Sequence, residues 1–143
     1  MQAFDYVTVL LAIVISLALA HLLTGIAHMI QDGVRSFSIP LAQWILFSLF
    51  LCVDYWFYVW HLHGESSWSL AYVSLLLAQA SIIFVAARII VPGGTNGSAV
   101  DMTAFFERNR RKYMAVVFVL AASNELINRC CQVNANLSLL VAV

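Results

Sequence analysis

The stretch Tyr6–Ile30, YVTVLLAIVISLALAHLLTGIAHMI, decides how the chain is read. It contains no Lys, Arg, Asp or Glu. At about 1.5 Å per residue, a helix of this length crosses the roughly 30 Å hydrocarbon core of a bilayer. Every fourth residue from Thr8 is small or polar, giving Thr8, Ala12, Ser16, Ala20, Thr24 and His28, with Leu, Val and Ile filling most positions between. Small residues at that spacing admit a close neighbour and hydroxyls can bond across the contact, so the ridge predicts a centrally packed helix.

The rest of the chain has the same character. Of its 143 residues 63% are hydrophobic and 10% charged, and the mean hydropathy is +0.91. That composition lies outside the range of water-soluble domains and makes lipid the expected solvent. Seven basic residues balance seven acidic ones, so no net charge points to nucleic acid. Ala18-Leu19-Ala20 has the form of a signal-peptidase site, but no basic residue precedes it and the apolar run continues, so an uncleaved span is expected. Cys52, Cys130 and Cys131 make neither a disulfide framework nor a Cys-x-x-Cys site.

Three further spans follow, at 41–62, 68–91 and 112–131. Pro40 suits the first turn of the second, which carries Trp44 near one end and Tyr55, Trp56, Tyr58 and Trp60 toward the other, as an interfacial aromatic belt would. Ser66 or Ser67 is the expected N-cap of the third. Its ridge of Ala71, Ser74, Ala78 and Ser81 makes it the expected partner of the first span. Residues 101–112 read as a polar helical segment leading into the fourth span, and Gln132 to Asn136 as an interruption before a surface tail, 132–143. Asn96-Gly97-Ser98 fits a glycosylation sequon inside what reads as a plain loop. The expected fold is all-α, a single integral membrane bundle of four transmembrane helices.

Charge sets the orientation. Arg35, Arg88, Arg108, Arg110, Arg111 and Lys112 fall on one side of such a bundle and only Arg129 on the other. The positive-inside rule then puts both termini outside the cytoplasm. Arg108, Arg110, Arg111 and Lys112 would meet anionic lipid at the cytoplasmic leaflet.

Phe4-Asp5-Tyr6, the run Leu17-Ala18-Leu19-Ala20-His21-Leu22-Leu23-Thr24-Gly25, the aromatic second span, and Phe105-Phe106 leading to Arg110-Arg111 together resemble a family of small bacterial inner-membrane proteins with no established activity. The resemblance spans most of the chain. It implies a four-helix protein of the bacterial cytoplasmic membrane and no particular chemistry.

Depth along each span brings Ser16, Asp54, Gln79, Asn124 and Glu125 near the midplane. Ionisable groups there are costly unless they face the bundle interior and find partners. Asp54 and Glu125 would share a proton, or Glu125 would pair with Arg129 one turn on, giving a proton or cation relay with Gln79 and Asn124. The plainer alternative is an interhelical hydrogen-bond clamp, or Asp54 bonded to the hydroxyl of Tyr55 or Tyr58. His21 and His28 share a helix while His61 and His63 sit at one end of another, which does not suit a haem. His61, His63, Glu65, Cys130 and Cys131 could at most form an outer metal site. No phosphate loop, nucleophile elbow or His-Glu-x-x-His pattern appears, so no enzyme, cofactor or metal is expected.

The chain therefore reads as a non-enzymatic accessory or scaffold subunit, or a small homo-oligomer, in contact with lipids and a membrane-protein partner or copies of itself. The alternative is a small proton- or cation-coupled transporter or channel, and after it a haem- or metal-binding redox subunit. With Cys52, Cys130 and Cys131 replaced by Ala, a cysteine at Gly97 is expected to react only with reagent on the cytoplasmic side and one at Glu65 only with reagent outside. The opposite labelling pattern would mean that the charge count gives the wrong orientation.

Overall fold

The computed structural model of the chain describes residues 3–32, 34–64, 69–91 and 100–141. It contains four helices, α1 (Ala3–Asp32), α2 (Ile39–His61), α3 (Leu70–Ile90) and α4 (Met102–Val141). Two short strands, β1 (Val34–Ser36) and β2 (Val100–Asp101), pair in parallel, with Val34 opposite Val100 and Ser36 opposite Asp101. The first three helices are long and apolar enough to cross a membrane. In α4 the apolar run from Tyr113 is broken by Asn124, Glu125, Asn128 and Arg129. The sequon and Glu65 lie outside the described residues, as do the side chains of Arg35, Cys130 and Cys131.

Local signals explain the helix starts. Ser38 precedes α2 in extended conformation, with Pro40 in the first turn, where a missing N–H costs no helical bond. Ser66 and Ser67 lie outside the described residues, and Ser69 caps α3, its hydroxyl accepting from the Tyr72 N–H at 3.2 Å. Asp101 caps α4, its carboxylate accepting the N–H groups of Thr103 at 3.1 Å and Ala104 at 3.0 Å, and also the Ser36 hydroxyl. One carboxylate thus starts α4 and ties it to the strand before α2. The strand pair joins segments more than sixty residues apart, a pairing the sequence reading did not foresee.

The expected interruption at 132–136 is absent: α4 continues as helix to Val141. Gln132 is a good helix former, Asn134 and Asn136 are weaker ones that each cost only a few tenths of a kcal/mol, and no Gly or Pro lies between Met102 and Val141 to end the helix.

α3, rather than α1, is the central helix: it packs against all three others, most extensively against α1 and α4. The buried face of α1 is Leu11, Ile15, Ala18, Leu22, Gly25 and Met29, and that of α2 is Leu41, Ile45, Ser48, Cys52, Tyr55 and Val59. Both alternate steps of four and three, averaging the helical period of about 3.6, and so hold one face over their whole length. The ridge expected to pack, Thr8 to His28, steps by four throughout. Each step drifts about 40°, so that ridge winds roughly halfway around the helix and cannot face one neighbour. Ser16, Ala20 and Thr24 are exposed and Ala12 is half-buried. On α3, Ala71, Ser74, Ala78 and Ser81 do hold one face, but it points outward. Ser74 and Ser81 donate to Leu70 O and Leu77 O, each at 2.8 Å, and so need no neighbouring helix.

Small residues nevertheless make the main contact, on the adjacent face. Ala18 and Gly25 of α1 and Ala80, Ala86 and Ala87 of α3 are all buried. A Cβ at Gly25 would overlap Val91 Cγ1 just beyond the end of α3, so the Val91 side chain occupies space on α1 that only glycine leaves open. Val91 is β-branched and cannot swing away. Gly25→Ala is expected to destabilise the detergent-solubilised protein by about 1–3 kcal/mol, the usual cost of overpacking. Adding Val91→Ala should recover most of that loss in a thermal-unfolding series; failure to recover would show that the close approach lies elsewhere.

Candidate functional site

α2 and α4 meet through a polar and aromatic clamp. Ser48 Oγ donates to Trp44 O at 2.9 Å and lies 2.7 Å from Tyr113 Oη. Tyr113 Oη also lies 3.5 Å from Trp44 O, so the two hydroxyls share one hydrogen bond and both reach the same carbonyl. The Tyr113 ring stacks on Trp44 with centroids 4.8 Å apart, and Phe106 meets the other part of Trp44 edge-on at 4.9 Å. A buried phenol with its hydroxyl satisfied and its ring stacked is a strong local fastener.

On the far side of this clamp, between α2 and α4 and floored by α3, lies an open cavity of about 520 Å³. Its polar groups are Asp54, Tyr58 and His61 from α2, Gln79 from α3 and Asn124 from α4; Phe47, Phe57 and aliphatic side chains supply the rest of the wall, and no Lys or Arg takes part. Tyr55 also lines it, but its hydroxyl is spent on Leu76 O at 2.7 Å, a bond that fastens α2 to α3. His61 Nδ1 likewise lies 2.8 Å from Phe57 O of its own helix. Gln79 is only 6% exposed, and its Oε1 is buried without a hydrogen-bond partner. An orphaned buried acceptor costs about 1–3 kcal/mol, so this oxygen marks a place where a donor is missing.

Of the residues grouped by depth, Asp54, Gln79 and Asn124 do line one cavity. Ser16 is exposed on α1, which takes no part in it. Glu125 and Arg129 are exposed on α4, outside the cavity lining, and form no ion pair with each other. The shared proton between Asp54 and Glu125 and the Glu125–Arg129 pair therefore have no counterpart here: successive helical residues point about 100° apart, which turns Glu125 away from Asn124. Nor does Asp54 bond to Tyr55, whose hydroxyl serves Leu76. Arg108, Arg110, Arg111 and Lys112 are all exposed, and Arg110 pairs with Glu107 at 3.3 Å.

Comparison of the chain with protein-family models, characterised proteins and solved structures finds no match.

The histidines are placed apart. Arg88 Nη1 donates to His21 Nδ1 at 3.3 Å, which leaves the His21 proton on Nε2. His63 packs edge-on against Phe4 at 4.9 Å and lies 6.3 Å from the Trp60 ring. Among the described residues no three His, Cys, Asp or Glu side chains are grouped to hold a metal.

Sequence reasoning missed Ser48, Tyr113 and the Arg88–His21 contact. The signal for Ser48 was present, since it falls in the α2 run of four-and-three steps, whereas Trp44 was read as a membrane-surface residue. Tyr113→Phe should cost about 1 kcal/mol through the lost hydrogen bond, and Tyr113→Ala about 3–5 kcal/mol. In a double-mutant cycle Tyr113→Phe with Ser48→Ala should be less than additive, and strict additivity would show that the two hydroxyls do not interact.

Proposed function

We infer that the chain is a four-span integral protein of a bacterial cytoplasmic membrane, with both termini on the outer side, and that it acts without enzymatic chemistry as a subunit of a larger assembly, joined to a partner membrane protein or to copies of itself. The length of α4 carries this reading. α4 has 40 residues and α2 has 23, which correspond to about 60 Å and 35 Å of helix. Tyr113 is level with Ser48, and from that level α4 runs about 15 residues farther than α2 does. The sequence of that overhanging end, Leu137-Ser138-Leu139-Leu140-Val141, is mostly apolar.

Two further features support it. Glu125 and Arg129 face outward with no ion pair among the described residues, and a neighbouring helix would supply their counter-groups. The exposed Arg108, Arg110, Arg111 and Lys112 would anchor the other end of α4 to anionic headgroups. The transport reading has only Asp54 in a cavity, with Glu125 elsewhere, so a proton hand-off lacks its second carboxylate.

Removing residues 131–143 tests the assembly. The contacts among the four helices described above lie before residue 131, so the shortened chain should keep its thermal midpoint. It should lose the co-purifying protein or the oligomer that native mass spectrometry in mild detergent detects with the full chain. A full chain that is itself a clean monomer with nothing bound would end this reading.

A further inference from the structure

We propose that the cavity between α2, α3 and α4 is a binding site for a protonated organic amine with an apolar body. The inference stands on the cavity alone and is independent of the assembly reading. Two acceptors want a partner here, beside the Tyr58 hydroxyl and the Asn124 amide, which can donate as well as accept. Gln79 lines the cavity, and its Oε1 is buried and unbonded. Asp54 makes no hydrogen bond or ion pair among the described residues and, when ionised, can only accept. The Tyr55 hydroxyl is spent on Leu76 O and donates to neither.

Charge and size narrow the ligand. With one carboxylate and no Lys or Arg, the lining can carry at most a single negative charge, which matches a monovalent cation. A bare metal ion would need several converging ligands, and among the described residues no such group exists. A volume of about 520 Å³ is that of a site for a small organic molecule. Phe47, Phe57 and Tyr58 offer ring surface to both a cationic head and an apolar body. A quaternary ammonium would satisfy the charge of Asp54 but would leave Gln79 Oε1 unbonded. An N–H-bearing ammonium satisfies both, so the site should prefer it.

Three probes of nearly one shape separate these contributions: protonated N,N-dimethylbenzylamine, benzyltrimethylammonium and neutral isobutylbenzene. Binding is measured by titration calorimetry on the full chain in nanodiscs, at neutral pH and with a protein-free nanodisc control. The amine should bind saturably and the quaternary cation several-fold more weakly, while isobutylbenzene only partitions into lipid. Asp54→Asn should weaken both cations by about tenfold or more, the loss of a charge-assisted contact. Gln79→Leu should remove the preference for the amine and leave the quaternary cation unaffected. Saturable binding of isobutylbenzene as tight as that of the amine, an Asp54→Asn variant that binds like the parent, or no saturable binding of any probe would each overturn the proposal. Should a variant fail to fold, the ranking of the three probes on the unsubstituted chain decides.

Discussion

α1 and α3 run side by side in the same direction, and the Val91 side chain packs into the space that Gly25 leaves open on α1. This packing governs the arrangement of the rest. In lipid, two apolar helices gain nothing by hiding from solvent and are held by close packing. A small face on α1 meeting a small face on α3 brings their backbones together, and α3 then has its remaining surface for α2 and α4. That is why α3 is the hub although α1 carries the longest uncharged run.

Hydrogen bonding fixes α2 in a second way. Tyr55 reaches from α2 to the Leu76 carbonyl and Tyr113 reaches from α4 to Ser48. The first bond holds α2 to α3 and the second holds α4 to α2, near the end where the chain enters both helices. Nothing comparable closes α2 onto α4 at the other end among the described residues, and the cavity opens there. Its polarity follows in part from the same division: the Tyr55 and Tyr113 hydroxyls are spent on fastening helices, while Asp54, Gln79 and the Tyr58 hydroxyl remain in the cavity lining.

Much of this was legible in the sequence, because composition reports on solvent and residue count reports on depth. The absence of charge over Tyr6–Ile30 located a helix long and apolar enough to cross a membrane, and counting along the helices grouped Asp54, Gln79 and Asn124, which line one cavity. Direction around the helix was not legible in the same way. The four-step ridge through Ser16, Ala20 and Thr24 looks like one face in a list but winds around a real helix, and Glu125 was lost from the cluster for the same reason. Two other features were beyond local reading. The polar residues at 132–136 look like a break, yet each carries too small a helix penalty to make one. The pairing of β1 with β2 leaves no pattern in either short segment, since its cause is the packing that brings them together.

That strand pair has a consequence for topology. Ser36 and Asp101 share a hydrogen bond, so they must lie in the same compartment. The chain between them can therefore cross a bilayer only an even number of times: if α2 goes over, α3 must come back. The rule owes nothing to counting positive charges. A misinserted chain in which α3 stayed behind would separate Asp101 from its partner on the first hairpin and start α4 with one of its ties missing, so the strand pair acts as a parity check on insertion.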